Sequence, residues 1–386
     1  MNRLVQATLK HGLVPPVVME FPGITVGGGY AGTSGESSSF KHGFFNKTVN
    51  WVDIVLADGE VVKASPTERW DLFEGAAGAV GTLGIVVLLE VRLIEAKRFV
   101  ETTHSEADHV DGLLFKLDLG LVITEKMIDE ATVYESDCGA HSAEEYLFRY
   151  DRGGFWVGDS IFKYFLIPFN RLTRKFLDYY LHTRTLYACL HASGLSNSYV
   201  VQDLALPYST ASEFIEYADK EFGIYPLWLC PLRQDTVQTF HPHNKTLNED
   251  YSLKLKLNIG LWGLGPLNDI AFLKKNRGLE DIIRKLGGMK WLYANTYYTE
   301  KAFWEIYDGE WYGKLREKYE ATSLPSVWQK VHTDAEKEIK AIEASWWLWF
   351  LCFWPVGGLY GMYRVWKGKK KEVVKRRLVD VVEVRT

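Results

Sequence analysis

Residues 25–37, TVGGGYAGTSGES, constrain this chain more than any other segment. Gly27, Gly28, Gly29, Gly32 and Gly35 are separated by small and hydroxyl residues, so side chains offer little to bury. Such a stretch is defined by its backbone. Glycine reaches positive φ without penalty, and bare N–H groups can approach an oxyanion closely. The segment lacks the strand–GxGxxG–helix context of a Rossmann site. As chemistry alone it supports two readings, a phosphate-binding loop and a turn-rich connector. A second segment, residues 75–85 (GAAGAVGTLGI), joins a short helix to an apolar strand. There the backbone can approach a planar ligand or pack tightly between helix and strand.

Strand and turn signals surround these segments. Residues 48–57 form an apolar strand, Asp58-Gly59 a tight turn, and residues 60–64 pair back, a strong hairpin signal. Residues 71–77 read as a short helix and 84–94 as a largely buried strand. Residues 155–170 are aromatic-rich and carry Asp159 and Lys163, which predicts an amphipathic or core helix. Further strands are expected at 199–206, 225–231, 253–261 and 291–298. Helices are expected at 209–222, 267–286 (stopped by Gly287-Gly288), 300–308, 311–319 and 330–344. The pattern is α+β.

Length and composition bound the function. A chain of 386 residues can hold two domains with full cores, and a net charge of -4 suggests no nucleic-acid surface. Aromatic residues make up 14%, which suits a bulky apolar ligand or a membrane as well as an ordinary core. Cys138, Cys189, Cys230 and Cys352 form no CxxC pair, which predicts a reducing compartment. His241-Pro242-His243 lacks a third ligand nearby, so no metal is expected. The sequon Asn244-Lys245-Thr246 is expected to go unused on a cytosolic surface.

Residues 1–18 lack the apolar stretch of a signal peptide. Residues 346–363, WWLWFLCFWPVGGLYGMY, are uncharged and precede Arg364 and a lysine cluster. At about 1.5 Å per residue they reach about 27 Å, close to a bilayer core. A C-terminal membrane segment at about 346–366 is therefore expected, with the basic tail on the cytoplasmic side and a kinked or re-entrant hairpin as its alternative form.

The run TVGGGYAGTSGESSSFKHGFFNKTVNWVDIVLADGEVVKAS, followed by DLFEGAAGAVGTLGIVVLLEVRLIEAKRFV, resembles the FAD-binding domain of the p-cresol-methylhydroxylase type. Within the vanillyl-alcohol-oxidase superfamily it is most similar to the delta-24-sterol reductases. YVVQDLALP, IYPLWLCP and LYANTYYTEKAFWEIYDGEWYGKLREKY extend the likeness over roughly residues 5–332. The resemblance implies an FAD-binding domain at 1–100, a substrate domain at 101–332, and a charged helix, membrane segment and basic tail at 333–386. It implies that Thr25, Gly27, Gly28, Gly29, Gly32, Thr33, Gly35, Glu36 and Ser37 sit on the FAD pyrophosphate and flavin. Gly81, Thr82, Gly84 and Ile85 would line the adenine and ribitol side. FAD would be held non-covalently and by backbone N–H groups, with NADPH as electron donor and a sterol as substrate. The implied location is the endoplasmic reticulum membrane, with the catalytic part facing the cytosol. Family members begin with a membrane segment and the first half of the FAD domain, and residues 1–28 match only the second half. The flavin site is accordingly expected to be incomplete.

Reducing an isolated alkene requires a proton donor as well as a hydride source, because no neighbouring carbonyl stabilises charge. His241, Tyr293, Tyr297 and Tyr298 lie in the substrate-side segments and are the candidate donors, each also readable as a core residue. Two other functions fit the same motifs. One is a vanillyl-alcohol-type oxidase that passes electrons to oxygen. The other is a membrane-bound sterol-binding remnant without flavin.

Overall fold

The computed structural model describes residues 1–375 other than 33–34, 102–105, 129–141, 155, 234–236, 244–254, 267, 335–343 and 352. Thr33, the sequon at 244–246, Cys138, Cys352 and most of the expected helix 330–344 lie outside the described residues. Two antiparallel sheets organise the chain, beside a separate short pair of β1 (Leu13–Val14) and β5 (Ile94–Glu95). The smaller sheet has the order β3-β2-β4, with β2 at Val49–Val55, β3 at Val61–Ala64 and β4 at Ile85–Val91. The Asp58-Gly59 turn sets its register: Val55 faces Val61, and Gly59 takes φ 91°. The helix Trp70–Ala76 then leads through the second glycine segment into β4.

The larger sheet has seven strands in the order β12-β9-β11-β10-β7-β8-β6. They are β6 (Arg98–Glu101), β7 (His109–Lys116), β8 (Leu119–Ile128), β9 (Tyr199–Pro207), β10 (Leu227–Leu232), β11 (Lys256–Leu264) and β12 (Met289–Lys290). Because side chains alternate across a strand, register decides which residues share a face. Asp203 lies opposite Gly260, Trp228 opposite both Gly260 and Leu113, and Cys230 opposite Asn258. Asp111, Trp228, Cys230, Asn258, Trp262 and Asp203 therefore share one face. The other face carries Leu204, Leu206, Ile259 and Leu261, buried beneath Phe214 of the helix Tyr208–Glu221 and Leu279 and Ile283 of the helix Asp269–Lys285. One face is thus an ordinary apolar core. The other sets Asp111, Asp203 and Asn258 among Trp228, Cys230 and Trp262, which share an apolar cluster with Leu186, Leu190 and Trp291, and it meets the first sheet's half of the molecule.

After β12 the chain returns to the first half. Phe303, Tyr307, Tyr312, Leu315 and Val327 share a buried cluster with Ile54, Leu72, Phe73 and Leu83. Tyr312 donates to Thr82 Oγ1 at 2.7 Å, tying the helix Gly309–Lys318 to the second glycine segment.

Five expectations need correction. The first glycine segment is not a loop over 26–32: it is the helix Val26–Gly32, and Gly27, Gly28, Gly29 and Gly32 do not take positive φ, small size at the last three serving close packing instead. The strand expected at 84–94 is not largely buried, since Ile85, Val87 and Leu88 of β4 are more than half exposed. Residues 291–298 are not a strand: only Met289–Lys290 pairs with β9, and the Asn295 carbonyl accepts from Gln202 Nε2 and Lys290 Nζ instead of a neighbouring strand. Residues 155–170 hold a helix only at Asp159–Tyr164, after which Leu166 turns into positive φ. Residues 346–363 do not form one rod. Trp346–Leu351 and Val356–Lys375 are separate helices broken around Pro355, which has no N–H to continue the ladder. No described helix is long and apolar enough to cross a membrane.

Candidate active site between the glycine segments and the polar sheet face

The two glycine segments lie side by side. Residues 26–32 form the helix Val26–Gly32, where Thr25 Oγ1 accepts from the Gly28 N–H at 3.0 Å. Gly78 N–H donates to the Tyr30 carbonyl at 3.3 Å and Val80 N–H to that of Ala31 at 2.9 Å. Small residues are needed here for close approach. Added at Gly29, a Cβ would strike Met19, and at Gly35 it would strike Leu232. Gly84, at φ 143°, lies against Ile54 and the Val55 carbonyl, and its Cβ would sit 2.7 Å from that oxygen. Gly27 and Gly81 are more open, with nothing nearer to a Cβ than the Val86 carbonyl at 3.4 Å and Lys330 Nζ at 3.5 Å. Thr25 and Ile85 are exposed, whereas Thr82 is buried and spends its hydroxyl on Ala79 and Tyr312.

Past Gly35 the first segment crosses to the polar face of the large sheet. The Ser37 carbonyl accepts from Val110 N–H at 2.9 Å, and Cys230 Sγ contacts the Glu36 carbonyl at 2.8 Å. This crossing creates a buried charged cluster. Arg149, just after the helix Ala143–Leu147, reaches Glu20 at 2.8 Å and Asp111 at 3.3 Å. Trp228 Nε1 donates to Asp111 at 3.1 Å, as does the Tyr150 hydroxyl, while Ser37 Oγ bridges Glu20 and His109.

Burial dominates the acid–base behaviour of the cluster. It pushes Glu20 up to about 8 against the pull of Arg149. It raises Glu36 as well, reinforced by Glu20 and Asp203. It drives His109 down to about 3, with Arg149 adding repulsion. Arg149 stays protonated because Glu20 and Asp111 outweigh its own desolvation.

Beside this cluster Asp203 is fully buried and receives hydrogen bonds from the Tyr293 hydroxyl and from Asn258 Nδ2 at 3.0 Å. Burial lifts Asp203 to about 6 despite these donors, and burial together with Asp203 raises Tyr293. Tyr293 belongs to this face. The other candidate donors do not join it. Tyr297 packs on Phe272 in the apolar core, and Tyr298 donates to the Glu280 carbonyl at 3.4 Å. His241 lies under the second glycine segment beside Phe44, pushed by burial and Lys47 down to about 3.

Sequence reasoning missed Glu20, Asp111, Arg149 and Asp203. For the two aspartates a signal existed: each is a lone carboxylate inside an apolar strand, VVQDLAL and HVDGLLF, and such a charge is rare unless it has a task.

Glu20 Oε2, Asp111 Oδ1 and Asn258 Oδ1 are buried oxygens without a hydrogen-bond partner, the kind of group that a polar ligand would satisfy. Glycine backbone lies beside them.

The two antiparallel sheets thus meet at a glycine-lined, acidic seam. Residues 1–65 match the family described as FAD binding domain. Delta(24)-sterol reductase of Homo sapiens is 30% identical over 383 residues, covering 86% of this chain and 72% of the relative. The enzyme of that name from Pisum sativum is 25% identical over 424 residues, covering 89% and 74%. Cytokinin dehydrogenase 9 of Oryza sativa is 32% identical, but over only 97 residues and 25% of this chain. The chain belongs to the delta(24)-sterol reductase family and is an FAD-dependent oxidoreductase.

Proposed function

We propose that the chain reduces the side-chain Δ24 double bond of a sterol, with NADPH as electron source, at the endoplasmic reticulum membrane. The single observation that carries this reading is the Asp203–Tyr293 pair, a buried carboxylate that accepts from the hydroxyl of a tyrosine 38% exposed, on the sheet face that the flavin-type segment crosses. FAD, when bound and reduced, would supply the hydride chemistry. Glu36, Ser37 and the open backbone at Gly27 and Gly81 would hold it, and the unpartnered acceptors of Glu20, Asp111 and Asn258 would orient its ring.

The chain's own residues then handle the proton. With Asp203 ionised, the Tyr293 hydroxyl is committed to it as donor. When Asp203 takes up a proton, which its elevation to about 6 favours, it can donate to the Tyr293 oxygen and free that O–H for an alkene carbon. Trp228 and Trp262 lie buried on the same sheet face as Asp203. Arg149 compensates the surrounding carboxylates without reaching the pair.

The test is the purified chain assayed for visible flavin absorbance and for NADPH consumption with a Δ24 sterol. Both should be present. A colourless protein would reject the flavin reading, and a yellow one that consumes oxygen with a phenolic alcohol would reject the reductase. A Glu36→Ala variant should lose flavin, and normal flavin content would remove Glu36 from the site.

A further inference from the structure

One corner of the molecule is apolar and has no core to pack on. Leu172 and Phe176, four residues apart on the helix Arg171–Leu181, are 65% and 78% exposed, and Leu166 in the preceding turn is 77% exposed. A second ridge runs along Val356–Lys375. Its glycine side, Gly357, Gly358 and Gly361, fits against Ser193, Tyr164 and Cys189, so the opposite side must face outward. Tyr363 and Trp366 lie there, about half exposed. The ridges are continuous. Trp354, itself 57% exposed, donates through Nε1 to the Tyr164 carbonyl, two residues before Leu166, and the Gly358 N–H reaches the Tyr164 hydroxyl at 3.3 Å. Scattered surface hydrophobics are ordinary, but a joined patch of large aromatics marks a docking surface.

Charge identifies the partner. The helix Arg171–Leu181 carries three basic residues and one acidic (3 − 1 = +2). Val356–Lys375 carries six basic and one acidic (6 − 1 = +5). The whole chain is at -4, so positive charge is gathered on the two helices that bear the apolar ridges. The cations also sit where a lipid headgroup layer would need them: Arg174 lies over the Phe169 ring at 5.3 Å and Lys367 over Tyr363 at 5.7 Å, long stems along aromatic surface with charged heads at its rim.

We infer that this corner is an in-plane membrane-docking facet that sinks its aromatic ridges into the interface of an anionic bilayer without crossing it. Apolar burial gives the affinity, and the basic rim selects anionic lipid. The inference rests on the two helices and not on the catalytic reading, since turnover in detergent is measured separately.

The experiment is co-sedimentation of the full chain with vesicles of phosphatidylcholine alone and of phosphatidylcholine with phosphatidylserine. The chain should pellet with the second and be released by salt. The double variant Phe176→Ser, Trp366→Ser should weaken partitioning by about tenfold or more, because two large apolar anchors are lost. The triple variant Arg171→Glu, Arg174→Glu, Lys175→Glu should abolish the preference for phosphatidylserine. All these positions are exposed, and unchanged circular dichroism would show that the variants fold. A chain that stays in the supernatant with both vesicles overturns the inference, as does a double variant that binds like the parent. Light scattering that shows a dimer converted to monomer by Phe176→Ser, Trp366→Ser also overturns it, assigning the facet to a second copy.

Discussion

The Tyr293 hydroxyl donates to the carboxylate of Asp203, which is buried on the one sheet face that meets the flavin-type half of the molecule. If this pair delivers the proton, Tyr293→Phe should keep flavin content and lower kcat by about 100-fold, the usual worth of a positioned general acid. Asp203→Asn should lower kcat too and remove the decline in rate that the parent shows as pH rises through about 6, where Asp203 gives up its proton. A pH profile unchanged in Asp203→Asn would reject the relay.

Gly260 is the residue that gives Asp203 its room. It pairs directly opposite Asp203, and a Cβ there would lie 3.0 Å from Asp203 Oδ1 and 3.3 Å from Trp228 Cβ. Gly260→Ala should therefore cost about 1–3 kcal/mol, as overpacking does. It should also shift the pH profile, because the carboxylate is displaced from Tyr293 and Asn258. Thermal unfolding with the pH–rate curve checks both. A melt and a profile identical to the parent would show that the strand has slack.

The buried acids also predict how stability follows pH. Glu20 is raised in the fold from 4.5 to about 8, so the native state binds the proton more tightly than the unfolded chain does. Its contribution is complete below about 4.5 and is lost as pH rises toward 8. The two buried histidines act oppositely. His109 and His241 are depressed from 6.5 to about 3, so their contribution is complete above 6.5 and is lost as pH falls through that window. Melting temperature should peak between these limits, and Glu20→Gln should flatten the alkaline limb and leave the acid limb in place. An alkaline limb equally steep in Glu20→Gln would assign it to other groups.

Local signals made single turns and helix ends readable. Asp58-Gly59 between apolar runs announced its hairpin, and Gly287, at φ 72°, ended its helix where the pattern said it would. The active seam was less legible because it is a product of register. Glu20, Asp111, Arg149 and Asp203 come from four distant segments, and only the pairing of β7, β10, β11 and β9 puts the sheet members on one face. No spacing along the chain encodes that. Residues 291–298 misled for a related reason: their aromatic composition suits a strand, but Gln202 and Lys290 side chains take the carbonyl that a neighbouring strand would use. The tail misled because hydropathy sees eighteen uncharged residues, about a bilayer's worth, and does not see the glycines packing back onto Cys189 and Ser193.

Lys290 supplies the last prediction. Its ammonium is fully buried, 2.9 Å from Glu280 Oε1 and bonded to the Asn295 carbonyl, while the same Glu280 oxygen accepts from Tyr297 N–H at 2.9 Å. The pair holds the loop after β12 against the helix Asp269–Lys285, and that loop carries Tyr293. A buried pair of this kind adds little beyond a well-packed apolar equivalent, yet removing one partner strands a charge and costs about 3–5 kcal/mol. Lys290→Met should therefore unfold at markedly lower urea, and adding Glu280→Leu should recover most of the loss. The same double variant should keep Tyr293 in place and retain activity. If Lys290→Met alone matches the parent in urea, Glu280 is already neutral in the fold, and the loop is held by packing of Tyr298 and Tyr307 and not by charge.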